Sequence, residues 1–353
     1  MKLQEENIMI SIHTCEFTLE TNYKNFNYLL SNAYKKAKGH HRLGPSTKNE
    51  HVKVDEALGS KGITVEYHEY EYRRMIKVIA NPSKVLGGSD LKLWKPDIRN
   101  IEEFLDLLNE HLEDYFYSNY ELNDFLLTRI DFTSNFKVGK SLVPEYISAI
   151  HKLGKVKKFR PKFDKTFYSS HPDFKETSFD LVGKTNHIEF TIYDKSSDYK
   201  NRDKQELAKK AKGILRAEIR LSKRPAIEDA LKEYISYTNL TTEEEFTSLA
   251  LNSHLIFLKW FTYIIPYGNF HTLKKAENIV EHSDFSKSKK KKMLRLLRLI
   301  PEKKSLYLAV KELNARNIDE IIKCFEKLEL SPITISKHKK YNHLPNLYTY
   351  IYN

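Results

Sequence analysis

Three short stretches carry, on one side of each, residues able to do phosphate chemistry: Leu127–Thr133, His187–Lys195 and Ile214–Leu221. Side chains alternate across a β-strand with period two. As strands, the first sends Ile130 and Phe132 one way and Arg129, Asp131 and Thr133 the other. The second sets Ile188, Phe190 and Ile192 against His187, Glu189, Thr191 and Tyr193, and the third sets Leu215, Ala217, Ile219 and Leu221 against Arg216, Glu218 and Arg220. If the strands share a sheet, carboxylates, a tyrosine, a histidine and arginines gather on one surface. That set suits metal-assisted attack by a tyrosine on a phosphodiester. A phenol, with a pKa of about 10, is a poor nucleophile until its proton is taken and a cation neutralises the phosphate. Asp131 and Glu218 sit mid-strand, an unfavourable place for a carboxylate unless it is paired or bound to a metal. Hard divalent cations such as Mg²⁺ prefer oxygen ligands and tolerate histidine. Arginines and lysines such as Lys195 would hold the strand and stabilise charge building on phosphate oxygens. The same residues also fit a blander reading, two Arg–carboxylate pairs (Arg129–Asp131 and Arg216–Glu218) on a solvated sheet face, and Tyr193 is one of 22 tyrosines.

The surrounding pattern predicts the elements that must position these strands. Residues 8–19 alternate as a strand, 23–38 read as an amphipathic helix ending at Gly39, and 40–62 as a polar loop. Residues 63–80 read as two strands or one bent strand, 84–88 as a turn and 101–117 as a helix with leucines at helical spacing. A helix near 144–153 and a basic loop at 155–165 follow. A lysine-rich helix is expected over 198–212, stopped by Gly213, and beyond Pro225 the pattern turns almost wholly helical. The expected organisation is an α+β domain over residues 1–240, an antiparallel sheet with flanking helices, followed by a mainly helical domain over 241–353. In the latter, residues 287–298 form a basic amphipathic helix bearing Lys289, Lys290, Lys291, Lys292, Arg295 and Arg298. Such a run is commonly a solvated face; beside a nuclease-like centre it is equally a surface for docking DNA.

The chain has 353 residues, enough for a sizeable core and for two domains. Its 59 basic against 47 acidic residues give a formal charge of +12, which favours polyanionic partners. Only Cys15 and Cys324 are present, which excludes a disulfide framework and zinc-finger spacing and fits a reducing cytoplasm. No stretch reaches the roughly 18 apolar residues of a membrane span, and no signal-peptide core opens the sequence. A soluble protein without a membrane partner is expected.

At these residues the sequence resembles the gene II/X family of replication initiators from filamentous phages and related plasmids. Ala80–Gly88 resembles the family's block around a Pro-x-Lys-Val-Leu core, and Thr128–Asp131 its Arg-Ile-Asp strand. His187–Lys195 resembles the segment that bears the nucleophilic tyrosine, and Gly213–Arg220 its Arg-x-Glu-x-Arg strand. The blocks lie in the family's order between residues 60 and 225. Where family members often have histidine and asparagine after the first block, this chain has Ser89 and Asp90. The His-hydrophobe-His triplet of many rolling-circle enzymes is not found. The resemblance implies a permuted rolling-circle endonuclease fold and a rolling-circle initiator. Such a protein nicks one strand of an origin in DNA, becomes joined to its 5′ end and later reseals the displaced circle. It implies Tyr193 as nucleophile, Asp131 and Glu218 as ligands of Mg²⁺ or Mn²⁺ with His187 as a further ligand, and Lys195, Arg129 and Arg216 on phosphate or on the carboxylates. Host helicase and polymerase are the implied partners, in the cytoplasm of a bacterium. Tyr199 is a weaker candidate for a second nucleophile, since the helix over 198–212 leads away from the site. A relaxase of a mobile element, with the same chemistry, and an origin-binding protein without catalysis remain open alternatives.

Overall fold

All three chemistry-bearing stretches are strands of one sheet. The computed structural model describes residues 10–37, 43–47, 49–117, 120–185, 187–235, 239–336 and 341–351. The strands are β1 (Ile10–Glu20), β2 (Leu43–Pro45), β3 (Val52–Asp55), β4 (Ile63–Glu69), β5 (Arg74–Ala80), β6 (Leu126–Lys137), β7 (Phe159–Pro161), β8 (Ser178–Gly183), β9 (Ile188–Asp194) and β10 (Ile214–Leu221). Their order is β2-β3-β4-β5-β1-β6-β10-β9-β8-β7. The fold is α+β: an antiparallel sheet with flanking helices, then a helical C-terminal region. By spatial contacts the chain divides into two units, residues 10–133 with 220–257, and residues 134–219 with 258–353. A boundary at residue 240 falls within the segment 220–257 of the first.

In the first unit, β1, β4 and β5 bring Phe17, Val65 and Val78 into register and bury them. The helix Tyr23–Ala37 buries Phe26, Leu29, Leu30 and Ala33, spacings of three and four that make one apolar stripe. The helix Ile98–Phe116 starts where Asp97 accepts the Asn100 amide (3.1 Å) and stops at Tyr117, whose φ of 56° ends the helical path. Its Phe104 meets Phe246 of the helix Thr242–Leu251 with ring centroids 5.1 Å apart, and Phe246 also meets Phe17. The expected loop over 40–62 contains β2 and β3. Val52–Asp55 alternates for only four residues, too short a signal to stand out, yet it completes an antiparallel ladder with β4.

In the second unit, β8 pairs with β9 and β7 with β8. The sequence pattern does not reveal β8, because Ser178–Leu181 alternates for only four residues before Val182 and Gly183. The helix expected over 198–212 is two, Lys195–Asn201 and Gln205–Lys210, with Asp203 between them at φ 55°. Gly213 has φ 86°, and a Cβ there would lie 2.8 Å from the Lys140 amide nitrogen. Only glycine makes that turn into β10 without displacing backbone. Toward the C-terminus the helices Leu273–Glu281, Lys287–Lys303, Leu306–Leu313 and Ile318–Lys327 share a core that includes Val280, Met293, Leu297, Ile300 and Phe325. Among the described residues no helix is long and apolar enough to cross a membrane.

Candidate active site

Tyr193 is the penultimate residue of β9, and its neighbours explain its orientation. Ile192 and Phe190 are fully buried on the opposite face, so burying them fixes which way the polar residues point. Those polar residues each find a partner. Glu189 accepts from Lys162 (2.6 Å), Thr191 donates to Asp180 (2.8 Å), and the Tyr193 hydroxyl donates to Glu218 Oε1 (2.7 Å). Ser178 and Asp180 lie opposite Tyr193 and Thr191 on β8. Ser178 also donates to Asp180, whose carboxyl is pushed above its ordinary pKa by burial. Burial, reinforced by the Glu218 carboxylate and opposed by the Arg216 guanidinium, raises the Tyr193 phenol well above its ordinary pKa. Tyr193 is therefore a neutral hydroxyl aimed at a carboxylate.

The strand β10 supplies Glu218 and Arg216, and both are buried. Arg216 Nε donates to Asn135 Oδ1 at 2.7 Å. The expected solvated sheet face is thus a covered one, a setting in which charge–charge and charge–dipole interactions are stronger than in water. Lys195 opens the helix after β9, with its side chain fully buried. Its ammonium donates to Asp198 (2.9 Å) and sits 4.5 Å from the centre of the Tyr199 ring and 5.6 Å from that of Tyr193. Arg202 reaches the same Asp198 (2.8 Å). Tyr199 is fully buried.

In the other unit, Asp131 on β6 is almost completely buried and held by two arginines. Arg129 grips it with two bonds, Nε to Oδ1 at 2.9 Å and Nη2 to Oδ2 at 2.5 Å, and Arg220 Nε adds a third to Oδ1 at 3.0 Å. Burial works against the Arg129 charge, but Asp131 outweighs it and the guanidinium's pKa is raised. Arg220 lies two residues after Glu218 on the same strand face, so β10 supplies both a carboxylate and the arginine that holds another. The buried thiol of Cys15 on β1 is pushed up, first by burial and then by the Asp131 charge.

Within the unit of residues 10–133 and 220–257, His13 and Asp131 offer ligand atoms that lie within 4.8 Å of each other. A hard carboxylate donor beside an imidazole is compatible with Mg²⁺ or Mn²⁺. His187 immediately precedes β9 in the other unit. The alternation over residues 8–19 was the available signal for His13, which shares a face of β1 with Cys15 and Phe17. Of the basic helix Lys287–Lys303, Lys289, Lys291, Arg295 and Arg298 are exposed and Lys290 and Lys292 partly so. Arg298 pairs with Glu277 (2.6 Å), and Lys290 donates to the Glu281 carbonyl (2.9 Å).

No curated protein is found to match the chain. The family described as the N-terminal part of the replication-associated gene II protein matches it over residues 25–247, more than half of its length and inclusive of Asp131, Tyr193 and Glu218. The chain belongs to this family, the gene II-type rolling-circle replication initiators of phages.

Proposed function

We propose that the protein starts rolling-circle replication by nicking one strand of an origin with Tyr193 and rejoining it later. The observation that carries this reading is the hydroxyl of Tyr193 held 2.7 Å from Glu218 Oε1 within a family of replication initiators. Because the phenol is neutral, its proton has to leave as the oxygen attacks. Glu218, already the acceptor of that proton's hydrogen bond, serves as general base. Tyr193 Oη bonds to phosphorus, the bond from phosphorus to the 3′ oxygen breaks, and that oxygen takes a proton from water. The products are a 5′-phosphotyrosyl link on the protein and a free 3′-OH that a polymerase extends. The reverse reaction reseals the circle.

Asp131, with His13 beside it, would hold a divalent cation, which when bound supplies Lewis-acid polarisation of the scissile phosphate. Arg129 and Arg220 hold Asp131 in place, and Arg216 lies among the groups that set the charge around Tyr193. Residues 1–240 carry the nicking chemistry in this reading. The basic helix in residues 241–353, through Lys289–Lys292, Arg295 and Arg298, grips duplex DNA at the origin. Host helicase and polymerase follow in the bacterial cytoplasm. The experiment is to incubate the protein with supercoiled plasmid carrying its own origin and Mg²⁺ or Mn²⁺, beside Tyr193→Phe. Open circles made by the wild type alone support the reading. Binding of the origin by both proteins without nicking by either would leave a DNA-binding role only.

A further inference from the structure

We propose that a basic groove in the unit of residues 134–219 and 258–353 binds a single strand of DNA through its phosphates. The inference rests on the reading of the protein as a DNA-processing initiator and gives that DNA a second place to lie. The groove has a volume of about 1320 Å³ and is lined by the helices Val143–Ile150, Pro172–Thr177 and Leu273–Glu281 and by the C-terminal end of Lys287–Lys303. It exceeds the roughly 300–1,000 Å³ of small-molecule pockets, which points to a polymer.

Lys152, Lys175, Lys274 and Lys304, from four separate segments, line it. Lys175, Lys274 and Lys304 are exposed. Two acids, Glu176 and Glu277, also line it, and Glu277 is matched by Arg298 at 2.6 Å. The balance is positive. Tyr168 and His151 add aromatic surface, their rings edge to face at 5.7 Å. His151 Nε2 is committed to the Ser178 carbonyl (2.8 Å), which fixes that ring, while Tyr168 is half-buried and leaves ring surface in the groove. Spaced cations with an aromatic platform in a concave channel match the way proteins grip single strands without reading sequence. The major groove of a duplex alone is about 12 Å wide, so a whole duplex is too broad for a groove of this volume and the single strand is the better fit.

The test uses the full-length protein in EDTA, a 5′-fluorescein-labelled 20-nucleotide oligothymidylate and fluorescence anisotropy over a range of salt. The variant is Lys175→Ala with Lys274→Ala and Lys304→Asn, asparagine because position 304 has φ 51°. Its charge-matched control is Lys24→Ala, Lys61→Ala and Lys232→Ala, all exposed and in the other unit. Losing three phosphate contacts flattens the slope of log K against log salt by about 2 and weakens binding by roughly 10- to 100-fold at 0.1 M salt. The expected result is that loss in the groove variant only, with Lys→Arg at the same three positions restoring affinity and with unchanged melting temperatures. Equal weakening by the control, no weakening by the groove variant, or no binding by the wild type would each overturn the groove. So would an equal loss on a 20-base-pair duplex, which would remove the single-strand assignment. Plasmid nicking, measured separately, tells failure of this inference from failure of the nicking reading.

Discussion

Replacing Asp131 with asparagine tests whether its carboxylate is the counter-ion that lets β6 and β10 carry arginines on a covered face. The substitution keeps the volume and removes the charge. Asp131 accepts three hydrogen bonds from two guanidiniums, and its own side chain is 1% exposed. Breaking a buried pair by removing one partner costs about 3–5 kcal/mol. The side chains of Arg129 and Arg220 keep 23% and 29% exposure, so water screens them once the carboxylate is gone. We therefore expect a loss nearer 2–3 kcal/mol, or a fall of roughly 3–4 °C in melting temperature for a chain of this size. The assay is urea unfolding of wild type, Asp131→Asn, Arg129→Gln and the double variant. The double variant should recover about 1–2 kcal/mol relative to additivity, because only Arg220 is then left without the carboxylate where two arginines were before. A stability change within about 0.5 kcal/mol for Asp131→Asn, or strict additivity in the cycle, would refute the reasoning.

Glu218→Gln keeps a hydrogen-bond acceptor for Tyr193 but not a base; nicking should fall by about 10²- to 10⁴-fold with origin binding retained, read by gel assay beside a binding isotherm. Chelation with EDTA should abolish nicking, and adding Mn²⁺ should raise the melting temperature of the wild type but not of His13→Ala, since a ligand that binds only the native state stabilises it. Burial, then Lys275 and His343, lowers the His271 pKa from 6.5 to about 4. The unfolded state thus binds more protons between those values, so this contribution is fully present above about pH 6.5 and is lost as pH falls toward 4. Discounting for screening by water, it amounts to about 1–2 kcal/mol, and His271→Gln should flatten the pH dependence of unfolding free energy over that window.

The strands bearing Asp131, Tyr193 and Glu218 were legible because each buries one apolar face, leaving a two-residue alternation that writes itself into the sequence. β10 runs over Ile214–Leu221, the bounds the alternation indicates, with Gly213 marking its start. β8 was not legible, because its alternation lasts only from Ser178 to Leu181 before Val182 and Gly183 break it, too short a run to stand out. His13 was present in a strand the alternation marks, but nothing local to residues 8–19 indicates which distant strand its face meets. Lys195 shows the limit of motif reasoning. Its spacing from Tyr193 suggests a phosphate contact, while the turn from β9 into a helix carries its ammonium to Asp198. The family resemblance, read from four blocks between residues 60 and 225, agrees with the match over 25–247.

The most direct test of the central claim is to trap the covalent product. The protein is mixed with a labelled oligonucleotide carrying the nick site and Mn²⁺, digested with protease, and the DNA-linked peptide is sequenced by mass spectrometry. The account predicts one 5′-phosphotyrosyl peptide, modified at Tyr193 and missing from Tyr193→Phe. A linkage at another residue, or DNA cut with no protein attached, would contradict it.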